Sequence, residues 1–165
     1  FKKALEINPN GPEAISNLGG VYNDLGDLEQ ATSFAKRAVE LLPRNPAFHW
    51  TYALVLLRAG RFKEGWVEYE WRWERRDFTT LNRDFGKPRW DGSAINGKTI
   101  LIHAEQRIGD TLQFIRYVAL VKKTGATVIV ESQSEVANLV SCMEGVRAVV
   151  RSGEPFQNLT CKFLY

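Results

Sequence analysis

The chain has 165 residues, 44% of them hydrophobic and 25% charged, with a formal net charge of +3. Such a composition belongs to one ordinary globular domain or two small ones, and no stretch approaches the roughly 18 uninterrupted apolar residues of a membrane helix. Residues 1–76 carry 11 basic and 10 acidic side chains and residues 98–165 carry 8 and 6, so the clustered cationic face of a nucleic-acid binder is missing.

Phe1-Lys2-Lys3 is no signal peptide. Cys142 and Cys161 have no CxxC spacing, and His49 and His103 are far apart in sequence, so no metal site is defined and no cofactor is called for. A reduced, cytoplasmic setting fits the two cysteines, with a single disulfide left open. The missing initiating Met and the ending Cys161-Lys162-Phe163-Leu164-Tyr165 lead us to expect a piece of a longer protein.

Residues 1–76 contain a repeat of 34 residues. Ala4-Leu5-Glu6-Ile7-Asn8-Pro9-Asn10 recurs as Ala38-Val39-Glu40-Leu41-Leu42-Pro43-Arg44, and Leu18-Gly19, Tyr22, Gly26-Asp27 and Ala31 return as Tyr52-Ala53, Leu56, Gly60-Arg61 and Gly65. Gly26 and Gly60 stand where a helix must end in a left-handed residue, and Pro43 cannot continue the helix before it. The pattern predicts helices near 12–25, 28–42, 46–59 and 61–76, with residues 1–7 the tail of an earlier repeat. Leu18, Tyr22, Phe34 and Leu41 form the expected buried stripe. The small residues Gly19 and Ala31, then Ala53 and Gly65, let antiparallel helices come close. This arrangement resembles the tetratricopeptide repeat, most strongly over residues 12–45. The resemblance implies a helical solenoid that binds a protein or peptide on the inner face of each first helix. By register that face carries Glu13, Ser16, Asn17, Gly20, Asn23 and Asp24, then Ala47, Trp50, Leu54, Leu57 and Arg58; of these Asn17, Asn23, Asp24, Trp50 and Arg58 are the candidate partner contacts. An ordinary solvated groove is the alternative reading. The unfinished first unit predicts an exposed apolar edge, open to a second copy of the chain.

Gly65 to Trp73 is the densest aromatic stretch. Trp66, Tyr69 and Trp73 fall at i, i+3 and i+7, one helical face that reads as core, while Trp71 points elsewhere, toward a stack with Arg72 or Arg75. Residues 77–97 lose the helical period. Pro88-Arg89-Trp90-Asp91-Gly92 and Asn96-Gly97 are turn chemistry, read as an ordered linker anchored by Trp90.

From residue 98 the period changes. Strands are expected at 98–104, 127–130 and 146–150, with helices at 109–123 and 135–143 between them, which is the order of a parallel α/β sheet. On the first helix Leu112, Ile115, Arg116, Ala119 and Leu120 share a side. The loop Glu105 to Thr111 leaves the first strand where open parallel sheets bind ligands. Asp110 and Thr111 are both candidate caps of the helix it opens, and His103 reads as a structural histidine. The ordered series Gly65-Trp66, Pro88-Arg89-Trp90-Asp91-Gly92 and His103-Ala104-Glu105-Gln106, then Gly109-Asp110-Thr111, resembles bacterial tetratricopeptide proteins. In these a C-terminal domain is similar to heptosyltransferases and other glycosyltransferases of two Rossmann-like domains. The fold class read here is therefore α plus α/β: a repeat solenoid over 1–76, a linker over 77–97, and a partial Rossmann-like segment over 98–165. The resemblance implies that Asp110 is a candidate general base beside Gly109, with Thr111 and Arg107 at the substrate, and a nucleotide sugar as donor in the longer protein. By itself the chain is expected to be inactive, since the second Rossmann-like domain of that family is not in it. Arg107, where the family has glycine, is expected to strain the loop if its φ is positive. Asn158-Leu159-Thr160 fits a glycosylation acceptor that a cytoplasmic protein does not use.

Overall fold

The computed structural model describes residues 1–77, 85–105 and 107–154, together with the backbone of Phe163–Leu164. Gln106, Cys161 and the Asn158-Leu159-Thr160 triplet lie outside the described residues. Two compact units divide the chain, residues 1–79 and 80–165. Among the described residues no helix is long and apolar enough to cross a membrane.

The first unit is made of paired antiparallel helices: α1 (Lys2–Ile7), α2 (Pro12–Leu25), α3 (Leu28–Leu41), α4 (Pro46–Arg58) and α5 (Phe62–Tyr69). Local chemistry sets their ends. Pro12 and Pro46 open α2 and α4, where a missing N–H costs nothing. Asp27 caps α3 by accepting from the Gln30 N–H at 3.1 Å, and Asn45 caps α4 by accepting from the Ala47 N–H at 3.0 Å. Gly26 and Gly60 carry φ of 83° and 75°, the left-handed residues that the sequence requires at those turns.

Ala31 and Ala35 of α3 join Tyr52, Val55 and Leu56 of α4 in one core cluster, while Ile15, Ala38 and Phe48 form a second. Burial pushes the Tyr52 phenol up from its usual range. Of the expected stripe, Leu18 is buried and Tyr22 stacks on Phe34 with ring centroids 5.4 Å apart, but Leu41 is exposed. Ile7 stays 88% exposed and no residue of α1 is buried.

Two expectations about the aromatic stretch are corrected. The helix predicted over 61–76 ends at Tyr69, and Glu70–Glu74 continue as a 3-10 turn. The tighter winding advances each side chain by about 120° instead of 100°, so Trp73 leaves the face shared by Trp66 and Tyr69, and Trp66 is 45% exposed. Trp71 stacks on neither arginine: it lies flat on the His49 ring, centroids 3.9 Å apart. Arg72 turns inward instead, over the rings of Tyr69 and Trp73 at 4.6 and 4.4 Å.

The second unit holds a four-stranded parallel sheet in the order β3-β2-β1-β4, from β1 (Thr99–His103), β2 (Thr127–Ser132), β3 (Val146–Arg151) and β4 (Phe163–Leu164). Ile100 and Ile102 of β1, with Val128 and Val130 of β2, face one side, where Ile115, Val118 and Val140 from the crossover helices meet them. Trp90 packs against the same cluster and donates Nε1–H to the Ser93 carbonyl at 2.8 Å. On the opposite face Leu101 and Ile129 are buried with Phe85 and Val150.

The crossover expected as one helix over 109–123 is broken into α6 (Ile108–Phe114), a 3-10 turn (Ile115–Tyr117) and α7 (Val118–Lys123). The break rotates the buried side to Ile115 and Val118, leaving Leu112, Arg116 and Leu120 exposed, Leu120 by 56%. The second crossover helix, expected over 135–143, is confined to α8 (Ala137–Ser141).

Gly19 is a point where helix backbones pack closely. A Cβ there would lie 3.0 Å from the Ala35 backbone nitrogen and 3.2 Å from its Cβ, atoms that cannot swing aside. Gly19→Ala is expected to destabilise the first unit by about 1–3 kcal/mol through overpacking, read as a lowered urea midpoint at unchanged slope.

Candidate functional sites

The first candidate is the inner face of α2 and α4. Asn17 and Asp24 are exposed on α2, while Asn23 is half-buried. The Asn23 Oδ1 is buried and receives no hydrogen bond from the described residues. Arg58 Nη1, 35 residues away, donates to the Asn23 backbone carbonyl, so the cation at the end of α4 serves the electronegative C-terminal end of α2. Trp50 is half-buried, with the Arg75 guanidinium over its ring at 4.9 Å and the Tyr69 ring tilted against it at 5.0 Å. The face thus combines exposed polar side chains on α2 with Leu54 and an aromatic platform on α4.

A polar cluster beneath this face was absent from the candidate residues. His49 is 6% exposed; its Nδ1 contacts Glu68 Oε2, and its Nε2 is 2.9 Å from the Pro43 carbonyl oxygen. Arg72, 8% exposed, donates to Glu70 Oε1 at 2.8 Å and to the Tyr69 carbonyl at 3.1 Å. One signal for His49 was present in the sequence: it shares the i, i+3, i+7 series of α4 with Tyr52 and Leu56, both buried.

The second candidate is the loop that leaves β1. By strand order, successive strands β2 and β3 add on one side of β1 and β4 on the other, so the switch in strand order falls between β1 and β4, beside this loop. His103 is the register partner of Glu131 at the carboxyl ends of β1 and β2, and the Phe85 ring lies 5.2 Å from the His103 ring. Glu131 is 1% exposed. Arg107 has φ −95° and ψ 163°, ordinary extended backbone, so the expected strain is absent. Its N–H donates to Asp110 Oδ2 at 3.2 Å, the reach-back half of a capping box. Thr111 does not cap the helix among the described contacts; its hydroxyl donates to Gln133 Oε1 at 2.9 Å, tying α6 to the loop after β2. Gly109 is exposed, and a Cβ there would meet nothing within 4 Å. Gly109, Asp110 and Thr111 therefore sit together on the first turn of α6, with Arg107 immediately before it. Among the described residues no group of three His, Cys, Asp or Glu side chains is placed to hold a metal ion. Cys142 is a free, exposed thiol.

Residues 1–32 match the family described as Tetratricopeptide repeat. Protein FlbA of Caulobacter vibrioides is 30% identical over 118 residues, which is 69% of this chain and 20% of that protein. Small glutamine-rich tetratricopeptide repeat-containing protein 2 of Mycosarcoma maydis is 29% identical over 70 residues, 42% of this chain and 20% of that protein. The chain thus spans a fifth of each of these relatives. A solved mutant of the O-GlcNAc transferase of Thermobaculum terrenum overlays on 89% of this chain and 36% of its own, at 17% identity and a loose TM-score of 0.43.

The Thr111–Gln133 bond can be weighed by a double-mutant cycle. Thr111→Val and Gln133→Leu are each expected to lower stability, with a coupling of about 1 kcal/mol between them; additive losses in denaturant melts would show that the bond contributes nothing. Residues 1–32, which hold α1, α2 and the start of α3, are thus similar to a tetratricopeptide repeat.

Proposed function

We propose that the repeat unit is a protein-interaction scaffold that takes a peptide or protein segment along the inner face of α2 and α4. One observation carries the reading. The alanine face of α3 closes the core, and the first helices α2 and α4 leave Asn17, Asp24 and Leu54 exposed. Trp50 supplies an apolar wall, and Arg58 fixes the spacing of the two helices through the Asn23 carbonyl. The name of the Mycosarcoma maydis relative agrees with the repeat assignment, and neither relative's name gives a partner.

A second reading concerns the longer protein. The all-parallel order β3-β2-β1-β4 favours a ligand at the carboxyl edge near β1, and a glycosyltransferase would place its acceptor there. In that reading Asp110 takes the proton from an attacking hydroxyl, Gly109 and Thr111 border the acceptor, and Arg107 meets a phosphate of a nucleotide sugar. Self-association through the apolar edge around Ile7 belongs to the same set of proposals, as does a cytoplasmic setting.

Peptides selected on the chain from a random display library test the scaffold reading. Asn17→Ala with Asp24→Ala is expected to weaken the selected peptides about tenfold or more in calorimetry, while the helical signal is unchanged. Selected peptides that bind the double variant as well as the parent would put the binding surface elsewhere. Calorimetric titration with uridine and adenosine diphosphates tests the second reading; saturable heat lost in Asp110→Ala and Arg107→Ala supports it, and no heat from the folded chain removes this half-domain from donor binding.

A further inference from the structure

Asparagine precedes glycine at Asn10-Gly11 and again at Asn96-Gly97. Glycine has no side chain to shield its nitrogen or restrict its backbone. In such a pair the glycine nitrogen can add to the asparagine side-chain carbon and expel the amide as ammonia. The surroundings of the two pairs differ in ways that bear on this reaction.

Asn10 is exposed on the loop between α1 and α2. Its Oδ1 accepts from Nη2 of Arg37, on α3, at 2.8 Å, and the same nitrogen donates to the Pro9 carbonyl at 3.0 Å. When Gly11 N adds to Asn10 Cγ, the electron pair of the carbonyl moves onto Oδ1. That atom already faces a guanidinium. A hydrogen bond strengthens as its acceptor becomes an anion, which is how an oxyanion hole acts. The Gly11 N–H donates to the Asn8 carbonyl, three residues back, at 3.0 Å. A turn bond of this kind opens at little cost, because water replaces the partner. No residue of α1 is buried to hold the loop from that side.

Asn96 has the opposite setting. The turn Ile95–Lys98 is closed by the Lys98 N–H on the Ile95 carbonyl at 3.0 Å, and Ile95 is fully buried. The Gly97 N–H is tied across to the Gly125 carbonyl at 3.0 Å, in the turn before β2. The Asn96 amide is pressed on Gly125, where a Cβ would collide with it. Among the described residues no donor reaches Asn96 Oδ1. One period after Asn10-Gly11 the chain has Arg44-Asn45, and Asn45 precedes Pro46, whose nitrogen has no hydrogen to lose. The second repeat therefore lacks the arrangement.

We infer that Asn10 is a self-modification site, converted to aspartate or isoaspartate with Arg37 as the activating group. Gly11 N gives its proton to water and bonds to Asn10 Cγ. The Cγ–Nδ2 bond then breaks, and the nitrogen leaves as ammonia, taking a proton from water. A second water opens the five-membered imide at either of its carbonyls. The product carboxylate faces Arg37 as an ion pair where a neutral amide stood. Isoaspartate also adds one methylene to the main chain directly before Gly11, the N-cap of α2. The modification thus changes how the first loop is joined to α3 and how the chain enters α2.

The test incubates the folded chain in mildly alkaline buffer, where the glycine amide loses its proton more readily. Conversion at residues 10 and 96 is read separately by peptide mapping in a mass spectrometer. Asn10 is expected to convert about tenfold or more faster than Asn96, whereas in urea the two convert at similar rates. Arg37→Met is expected to slow Asn10 about threefold or more in the folded chain, to leave Asn96 unchanged, and to have no effect in urea. Equal rates at the two residues in the folded chain would overturn the inference. So would an Arg37→Met chain that converts Asn10 at the parent's rate or faster, since the bond then restrains the amide instead of activating it. Should Arg37→Met fail to fold, Arg37→Gln makes the same comparison with a neutral donor in place of the cation.

Discussion

Backbone meets backbone where α2 crosses α3, and the rest of the first unit follows from that contact. Gly19 lies against the main chain of Ala35, and the alanines at 31, 35 and 38 keep the second helix slim along its buried edge. Helices so close exclude large side chains from the seam. Phe48, Tyr52 and Leu56 of the next first helix then fill the far side of α3. Small residues at one spacing and large ones at another make a stack that adds units along one axis, each contacting its neighbours. The same packing leaves Asn17, Asp24 and Leu54 of the first helices exposed.

Most of this was legible because a 34-residue repeat compares each position with its own copy. The bounds of α2, α3 and α4 fall within a residue of the expected ones, since proline, glycine and capping side chains mark them. The aromatic stretch was harder. Periodicity assumes constant winding, and a change to 3-10 geometry at Glu70 has no sharp sequence mark. With it went the assignment of partners, so that Trp71 found His49 and Arg72 turned inward between two rings. A contact between residues 22 apart, in different elements, depends on how the elements pack and not on spacing along either one.

In the second unit the strands were readable from their β-branched runs, and the parallel order from the alternation of elements. The crossover was less so. Leu112, Ile115, Ala119 and Leu120 make a helical stripe on paper, yet the interruption at Ile115–Tyr117 gives burial to Val118 and exposes both leucines. Of the loop residues singled out, Asp110 caps the helix through the Arg107 N–H as its type suggested, whereas the partner of Thr111, Gln133, lies in another loop and could not be paired from sequence. Glu131, buried beside the register partner His103, escaped notice because a single acid at the end of an apolar strand has no pattern around it.

The Arg58 bond to the Asn23 carbonyl has a mechanical meaning. It spans consecutive repeats at the rim of the array, away from the apolar seam, and therefore acts as a strut that sets how far the two first helices splay. Stretching the solenoid along its axis loads this polar strut before the seam between α3 and α4 begins to part. A hydrogen bond at the exposed rim yields and re-forms with little loss, because water replaces either partner. Small changes of curvature are thus reversible, and the array behaves as a spring whose first compliance lies in a single side chain.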